Sequence, residues 1–160
     1  MCGEGKEDLN FMRIVIQRVL SGKIAINNGV ISEIKGGLAV FVGVEKGDSE
    51  RDVSETARKI SDIRVFEDDS GRMMFKLPEK GEILLIPQFT LIGSIKGALR
   101  PDFTNAEEPN KARELFDLLS KILREKYSRI VKDGEFGEHM LVDLKIDGPV
   151  TIFYDTRSKN

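Results

Sequence analysis

Gly81-Glu82-Ile83-Leu84-Leu85-Ile86-Pro87-Gln88-Phe89-Thr90-Leu91 is the stretch on which the fold turns. Four large apolar residues in a row, Ile83 to Ile86, follow a turn signal at Pro78 and Gly81. So short a run, apolar at every position, predicts a strand buried on both faces near the middle of a sheet. Proline has no N–H to give to a ladder, so regular pairing falters at Pro87. An amide (Gln88), an aromatic wall (Phe89) and a hydroxyl (Thr90) come directly after it. A rigid strand that stops there holds polar groups and unpaired backbone N–H donors at a fixed place, as a reaction centre requires. The plain alternative is a strand end with ordinary polar residues.

Upstream, Leu38 to Val44 is a second continuous apolar run and predicts another central strand. Before it, Ile14 and Ile16 alternate with Arg13, Val15 and Gln17, so order begins at Met12 and a first strand reaches Val19. A second strand spans Gly22 to Asn27, and Asn28-Gly29 signals a hairpin returning over Val30 to Ile34. Asp48 or Ser49 can cap a helix over Glu50 to Asp62, with Val53, Ala57 and Ile60 at helical spacing. A short strand over Ile63 to Phe66, an acidic turn over Glu67 to Gly71 and a return over Met73 to Leu77 lead back to the opening stretch. The acidic turn lacks the ligand spacing and distal glutamate of an EF-hand, so it does not read as a calcium loop.

Downstream, Gly93 to Phe103 holds Lys96, Gly97, Arg100 and Pro101 and predicts a loop beside the strand end, where binding groups are often carried. A helix starts at Pro109, and Ala112, Leu115, Leu118, Leu119, Ile122 and Leu123 form its apolar stripe to about Tyr127. Lys121, Arg124, Lys126, Arg129 and Lys132 follow at its far end, where cations complement the helix dipole or meet phosphates. After a turn over Asp133 to Gly137, a strand runs from Met140 to Ile146. The segment Asp147 to Thr151 then leads into Ile152-Phe153-Tyr154. These elements predict an α+β protein: a mostly antiparallel, curved or barrel-like sheet with two main helices packed outside it. Residues 12–154 form its single domain, with a disordered leader over 1–11 and a frayed tail over 155–160.

With 160 residues, 40% hydrophobic and 32% charged, the chain has the composition of a soluble globular domain. No apolar run reaches the roughly 20 residues of a membrane span, and residues 1–11 do not read as a secretory signal. The single cysteine, Cys2, allows no internal disulfide, and with one histidine, His139, it offers no Cys/His zinc set. A reducing cytoplasm suits such a chain. The net charge of −2 argues against a broad basic face for nucleic acid, while leaving contact with a small part of one open. Gly-x-Ser-x-Gly, Gly-x-Gly-x-x-Gly and Walker patterns do not occur, nor does a carboxylate pair in apolar surroundings, so no cofactor is implied. The lone His139 reads as a strand or surface residue rather than a base.

Two motifs in this order carry a resemblance. Gln88-Phe89-Thr90-Leu91 and Gly148-Pro149-Val150-Thr151 resemble the paired signatures of D-aminoacyl-tRNA deacylases. Gln17-Arg18-Val19, Gly43-Val44-Glu45-Lys46, and Gly97 with Arg100-Pro101 and Phe103 resemble the family as well, so the match spans residues 12 to about 154. It implies hydrolysis of the ester between a D-amino acid, or glycine on the wrong tRNA, and the terminal adenosine, by a homodimer with its sites at the interface. Gly148-Pro149 would be the family's cis peptide, reaching into the partner's pocket and leaving no room for an L side chain. Thr90 matches a threonine once proposed as nucleophile. Arg18 matches the arginine beside the Gly-Pro element, and Ala112 a small pocket-lining residue. The family's chemistry leans on the adenosine's own 2′-hydroxyl and on backbone N–H donors, which suits a chain without a side-chain machine. Two positions depart from the family pattern: Pro87 stands where serine is usual, and Ile146 where asparagine is. A non-catalytic aminoacyl-tRNA or nucleic-acid binding module of the same fold is the rival reading, and a purely structural homodimer a third.

Overall fold

A computed structural model describes residues 12–157 of the chain; the leader expected over 1–11 lies outside them. The first two expected strands are one, β1, Met12–Ile26. Hairpin partner β2, Gly29–Ile34, follows a turn in which Asn27 and Asn28 both take positive φ (49° and 66°). Next come β3 (Gly37–Val44), α1 (Glu50–Asp62), the small strands β4 (Phe66–Glu67) and β5 (Met73–Phe75), and β6 (Glu82–Pro87). A 3₁₀ turn at Phe89–Ile92 leads on to α2 (Pro109–Glu125), β7 (Ile130–Asp133) and β8 (Leu141–Asp155).

The main sheet is ordered β2-β1-β3-β6-β7, with β8 added along β1. All three pairings of β1 are antiparallel, so the sheet is mostly antiparallel as expected, and β3–β6 and β6–β7 add two parallel pairings on one side. The reason is connection length. Parallel neighbours need a crossover, and α1 with the β4–β5 hairpin supplies the first while α2 supplies the second. Strand β2 curls back toward β7, where the Ser32 hydroxyl donates to the Asp133 carbonyl at 2.6 Å, and the sheet nearly closes as a barrel.

Alternation along β3 and β6 divides the apolar residues between two cores. Leu38, Val40, Val42, Ile83 and Leu85 face Val53, Ala57 and Ile60 of α1 and Leu115, Phe116 and Leu119 of α2. Ala39, Leu84 and Ile86 fill the other side with Val19, Ile24 and Ile34. Leu84 and Leu85 are both fully buried, each worth about 2 kcal/mol by transfer. This two-sided burial is what the uninterrupted apolar runs predict.

Strands β1 and β8 change layers midway. Met12, Ile14 and Ile16 belong to the helix-side core, whereas Val19 and Ile24 belong to the other. The change falls at an irregularity in their pairing: Gln17 faces Thr151 and Val19 faces Ile146, so Asp147 to Val150 stand opposite Arg18 alone. Extra residues on one strand push outward and bend it. That bulge is the Gly148-Pro149 segment.

Three local expectations change. The paired strands of the small hairpin are shorter than 63–66 and 73–77, because Asp68 organises the turn: its Oδ1 accepts from Ser70 N–H, Ser70 Oγ and Arg72 N–H at 2.9, 2.7 and 3.0 Å. Strand β7 occupies the stretch after the second helix where only the cations of its far end, and no strand, were expected. The last strand continues to Asp155, which is buried and bonds Arg13 at 3.1 Å. No described helix is long and apolar enough to cross a membrane.

Candidate active site

Strand β6 ends as its sequence dictates. Gln88 still donates its N–H to the Val42 carbonyl at 2.7 Å, and there the chain leaves the sheet into the 3₁₀ turn. Its Leu91 N–H bonds the Gln88 carbonyl (3.2 Å) and Gly93 N–H bonds the Thr90 carbonyl (3.0 Å). The first N–H groups of a helical turn have no carbonyl behind them within the turn. Here those are Phe89 and Thr90. The Gln88 side-chain amide donates to the Thr90 hydroxyl, which holds both side chains on the outer side of the turn. Pro87 is buried, and Phe89 and Thr90 are exposed.

A cavity of about 570 Å³ opens beside this strand end. Val42, Val44 and Ile86 form its floor, Pro87, Gln88 and Phe89 one side, and Ala112 and Phe116 of α2 another. Ala112 sits in the first turn of α2, where its small side chain leaves room in the wall. The fourth side is Phe136 to Met140, ahead of β8. Arg113 braces that wall: its guanidinium lies 5.7 Å from the Phe136 ring centre and donates to the Phe136 carbonyl at 3.1 Å. The Phe136 and Phe116 rings are 6.4 Å apart. Polar side chains in the lining are Gln88, Glu107, Glu138 and His139. Among the described residues, nothing with a hydroxyl, thiol or amine lines it.

Arg18, Gly148 and Pro149 form a second, separate cluster. Gly148 and Pro149 are exposed, whereas Arg18 behind them is 7% exposed. Its guanidinium donates from Nε to the Asp147 carbonyl (3.3 Å) and from Nη1 to the Val65 carbonyl (2.7 Å), and pairs with Asp147 and Glu67 at 3.3 Å each. The planar fork of arginine serves these partners at once, which a lysine point charge does not match. The Gly148-Pro149 bond is cis, and Gly148 has φ +125°. A Cβ at Gly148 would lie 2.8 Å from the Val150 nitrogen. Beyond the bulge, the Thr151 hydroxyl donates to the Gln17 side-chain carbonyl at 2.6 Å.

The sequence-predicted residues thus fall into two groups within one chain. Gln88, Phe89 and Ala112 line the cavity with Thr90 next to it, and Gly148, Pro149 and Arg18 stand apart from it. Two of the basic residues at the end of α2 and just beyond it are already engaged. Arg124 bonds Asp133 (2.8 Å) and the Val131 carbonyl (2.9 Å), and Arg129 bonds the carbonyls of Leu77 (2.8 Å), Pro78 (3.3 Å) and Ser61 (2.8 Å), so both are structural. The Phe136–Met140 wall reads in the sequence as a turn leading into a strand, and His139, read as a strand or surface residue, is exposed, lies outside any strand and joins the cavity lining. The wall's only sequence signal is an aromatic between two glycines, a pattern shared with ordinary turns.

The family model described as D-Tyr-tRNA(Tyr) deacylase matches residues 15–155. D-aminoacyl-tRNA deacylase of Kosmotoga olearia is 42% identical over 149 residues, covering 92% of this chain and 99% of that protein. That of Persephonella marina is 43% identical over 148 residues, covering 92% and 99%. A solved structure titled c-Myc DNA Unwinding Element Binding Protein superposes with a TM-score of 0.83 at 34% identity, covering 89% of this chain and 97% of its own. Another, of a probable eukaryotic D-amino acid tRNA deacylase, shares the fold with a TM-score of 0.73 at 18% identity, covering 91% and 99%. The chain belongs to the D-Tyr-tRNA(Tyr) deacylase family.

Proposed function

We propose that this protein hydrolyses the ester joining a D-amino acid, or glycine on a mismatched tRNA, to the terminal adenosine of tRNA, and that it acts as a homodimer. The observation that carries the reading is the end of β6. It sets two N–H groups with no carbonyl behind them in their turn, those of Phe89 and Thr90, beside a cavity lined, among the described residues, without hydroxyl, thiol or amine. With the ester carbonyl at this turn, water adds to the carbonyl carbon and the N–H donors stabilise the developing oxyanion. The bond to the ribose oxygen then breaks, that oxygen takes a proton, and free amino acid and tRNA leave. Removing one such donor from an acyl-transfer site typically costs about 10² to 10³ in rate. The adenosine 2′-hydroxyl assists in place of a protein nucleophile, and Thr90 contributes position and its N–H.

In this reading chirality is read by the partner subunit. Its Gly148-Pro149 bulge enters the cavity and packs backbone against the substrate Cα on the side where an L side chain would project. A D side chain or the hydrogen of glycine avoids that contact, so L is rejected by a clash. Arg18, buried behind the bulge and bonded to Asp147, Val65 and Glu67, holds it in place. The exposure of Gly148 and Pro149 in a single chain supports this, because a bulge so firmly held touches nothing in front of it.

The test is release of D-tyrosine and L-tyrosine from charged tRNA by wild type and Pro149→Ala. Fast D-release with L spared, and a weaker distinction in the variant, is the expected result. No D-release by folded protein defeats the enzymatic reading. One relative carries the name of a DNA-unwinding-element binding protein, which favours a second reading as a nucleic-acid binding module. Ester that is bound and stays intact is the mark of that reading.

A further inference from the structure

The loop from Gly93 to Phe103 stands beside the cavity and is not used by the chemistry above. Its root is fixed: Ser94 and Asp102 exchange backbone hydrogen bonds at 2.9 and 2.8 Å. Phe103 packs edge-on against Phe89, with ring centres 5.2 Å apart, and Phe89 lines the cavity. The loop is therefore continuous with the cavity rim. Its tip is apolar and open: Leu99 is 98% exposed and Ile95 67%. Lys96 and Arg100 flank these residues, both exposed and, among the described residues, without an ion pair. The one acid of the loop, Asp102, is engaged by the N–H and hydroxyl of Thr104. A Cβ added at Gly97 would meet nothing within 4 Å, so the backbone there is open to a partner. A leucine in water at the tip of a pinned loop adds nothing to folding. Paired with two free cations, it matches a chain that alternates flat apolar faces with negative charge, as single-stranded nucleic acid does.

Resting on the deacylase reading, we propose that this loop is the landing surface for the single-stranded 3′ segment of the tRNA just before its terminal adenosine. Leu99 and Ile95 lie against base faces, and Lys96 and Arg100 neutralise the phosphates between them. The contact adds affinity without sequence readout, and it lets an acidic protein hold a polyanion through a small basic patch.

The test compares two substrates, D-tyrosyl-tRNA and D-tyrosyl-adenosine, the latter having no phosphate or preceding base. For Lys96→Gln/Arg100→Gln, KM for D-tyrosyl-tRNA should rise about tenfold while hydrolysis of D-tyrosyl-adenosine is unchanged. The slope of log affinity against log salt should become shallower by about 1.4, the value for two phosphate contacts on a single strand. Leu99→Ser should raise KM for the tRNA about fivefold and spare the adenosine ester, as loss of one base contact would. Lys96→Arg/Arg100→Lys should retain wild-type behaviour, because point charges suffice. Equal effects on both substrates, or no effect on either, overturn the proposal. Dissociation of a dimer by Leu99→Ser also overturns it and assigns the tip to a subunit interface. Wild-type protein that cleaves neither ester overturns the deacylase reading itself, which is a distinguishable result.

Discussion

The end of β6 and the Gly148-Pro149 bulge of β8 are both interruptions in long strands, yet they are built in opposite ways. The first grows from a strand with Ile83 to Ile86 fully buried and opens onto a cavity of its own chain. The second sits on an outer strand and projects into solvent, with Arg18 bonded to Asp147, Val65 and Glu67 behind it. A pocket needs walls, so it is rooted in the core. A probe that is to enter another molecule's pocket needs exposure in front and support from behind. One chain has both parts but does not bring them together, and this is the physical content of the homodimer proposal.

The comparison is broken most severely at Gly148. Alanine there meets a φ of +125°, a conformation L residues rarely adopt, and sets a Cβ 2.8 Å from the Val150 nitrogen. The bulge must then reshape. D-tyrosyl-tRNA hydrolysis by Gly148→Ala is expected to fall about 100-fold or more, the scale of effect when a site is displaced by an ångström or so. Its Tm should drop only a few degrees, because the exposed bulge adds little to the core. Steady-state kinetics alongside a thermal melt checks this. A large loss of Tm with selectivity and rate kept in the folded fraction would show that the bulge is structural.

Arg18→Met removes the support and leaves the bulge sequence alone. Several carbonyl and carboxylate partners lose their cation, at an expected cost of about 2–3 kcal/mol in stability. The D-over-L rate ratio should fall about tenfold, which is about 1.4 kcal/mol of discrimination. Arg18→Lys should recover less than half of that difference, since one ammonium does not span the Asp147, Val65 and Glu67 partners. Full recovery with lysine would mean that only charge matters there.

The third effect is smaller and lies on the pocket side. Arg113 bonds the Phe136 carbonyl and lies over the Phe136 ring, so Arg113→Met should raise KM about three- to fivefold with kcat nearly unchanged, from one lost hydrogen bond of about 1 kcal/mol. An equal fall in kcat would place Arg113 nearer the chemistry than its bond to the Phe136 carbonyl suggests.

How far the sequence could be read follows the same division. Strands β3 and β6 were legible because burial on both faces demands an apolar residue at every position, and Pro87 marked where β6 ends. The hairpin was legible from Asn28-Gly29 because few residues accept positive φ, but the turn falls one residue earlier, on Asn27 and Asn28, and Gly29 already belongs to β2. Strand β7 was not: Ile130-Val131-Lys132-Asp133 has one buried residue, Val131, and its Lys132 read as one of the cations at the far end of the helix. The union of the first two strands was hidden at Leu20 to Gly22, where β1 changes layers and its alternation breaks. In the site, Gln88-Phe89-Thr90 and Gly148-Pro149 stood out as motifs, and the wall from Phe136 to Met140 did not, because a segment that lines a cavity from a turn has no periodicity. That the two motifs lie apart in one chain is a property of three dimensions alone.

The smallest effect separates the site from the charged seam that closes the domain. Glu45 is buried beside Arg157, whose guanidinium lies 2.9 Å away, and burial raises its carboxyl above the usual 4.5 despite the favourable charges of Arg157 and Arg13. A raised folded-state pKa means that the native protein takes up the proton before the unfolded chain does. Relative to a group that cannot titrate, stability therefore rises as pH falls through the interval just above 4.5, and that gain is lost as pH climbs past the folded value. The Tm of wild type minus that of Glu45→Gln should accordingly increase between pH 7 and pH 4.5, by a degree or two for a domain of this size. The D-over-L rate ratio measured at neutral pH should be the same in both proteins, since the Glu45 side chain is not among the residues lining the cavity and meets it only through the backbone bridge to Ala106. A pH-independent Tm difference would show that Arg157 fully offsets the desolvation of the carboxylate. A changed rate ratio would mean that this seam, and not Arg18 alone, governs how the bulge is held.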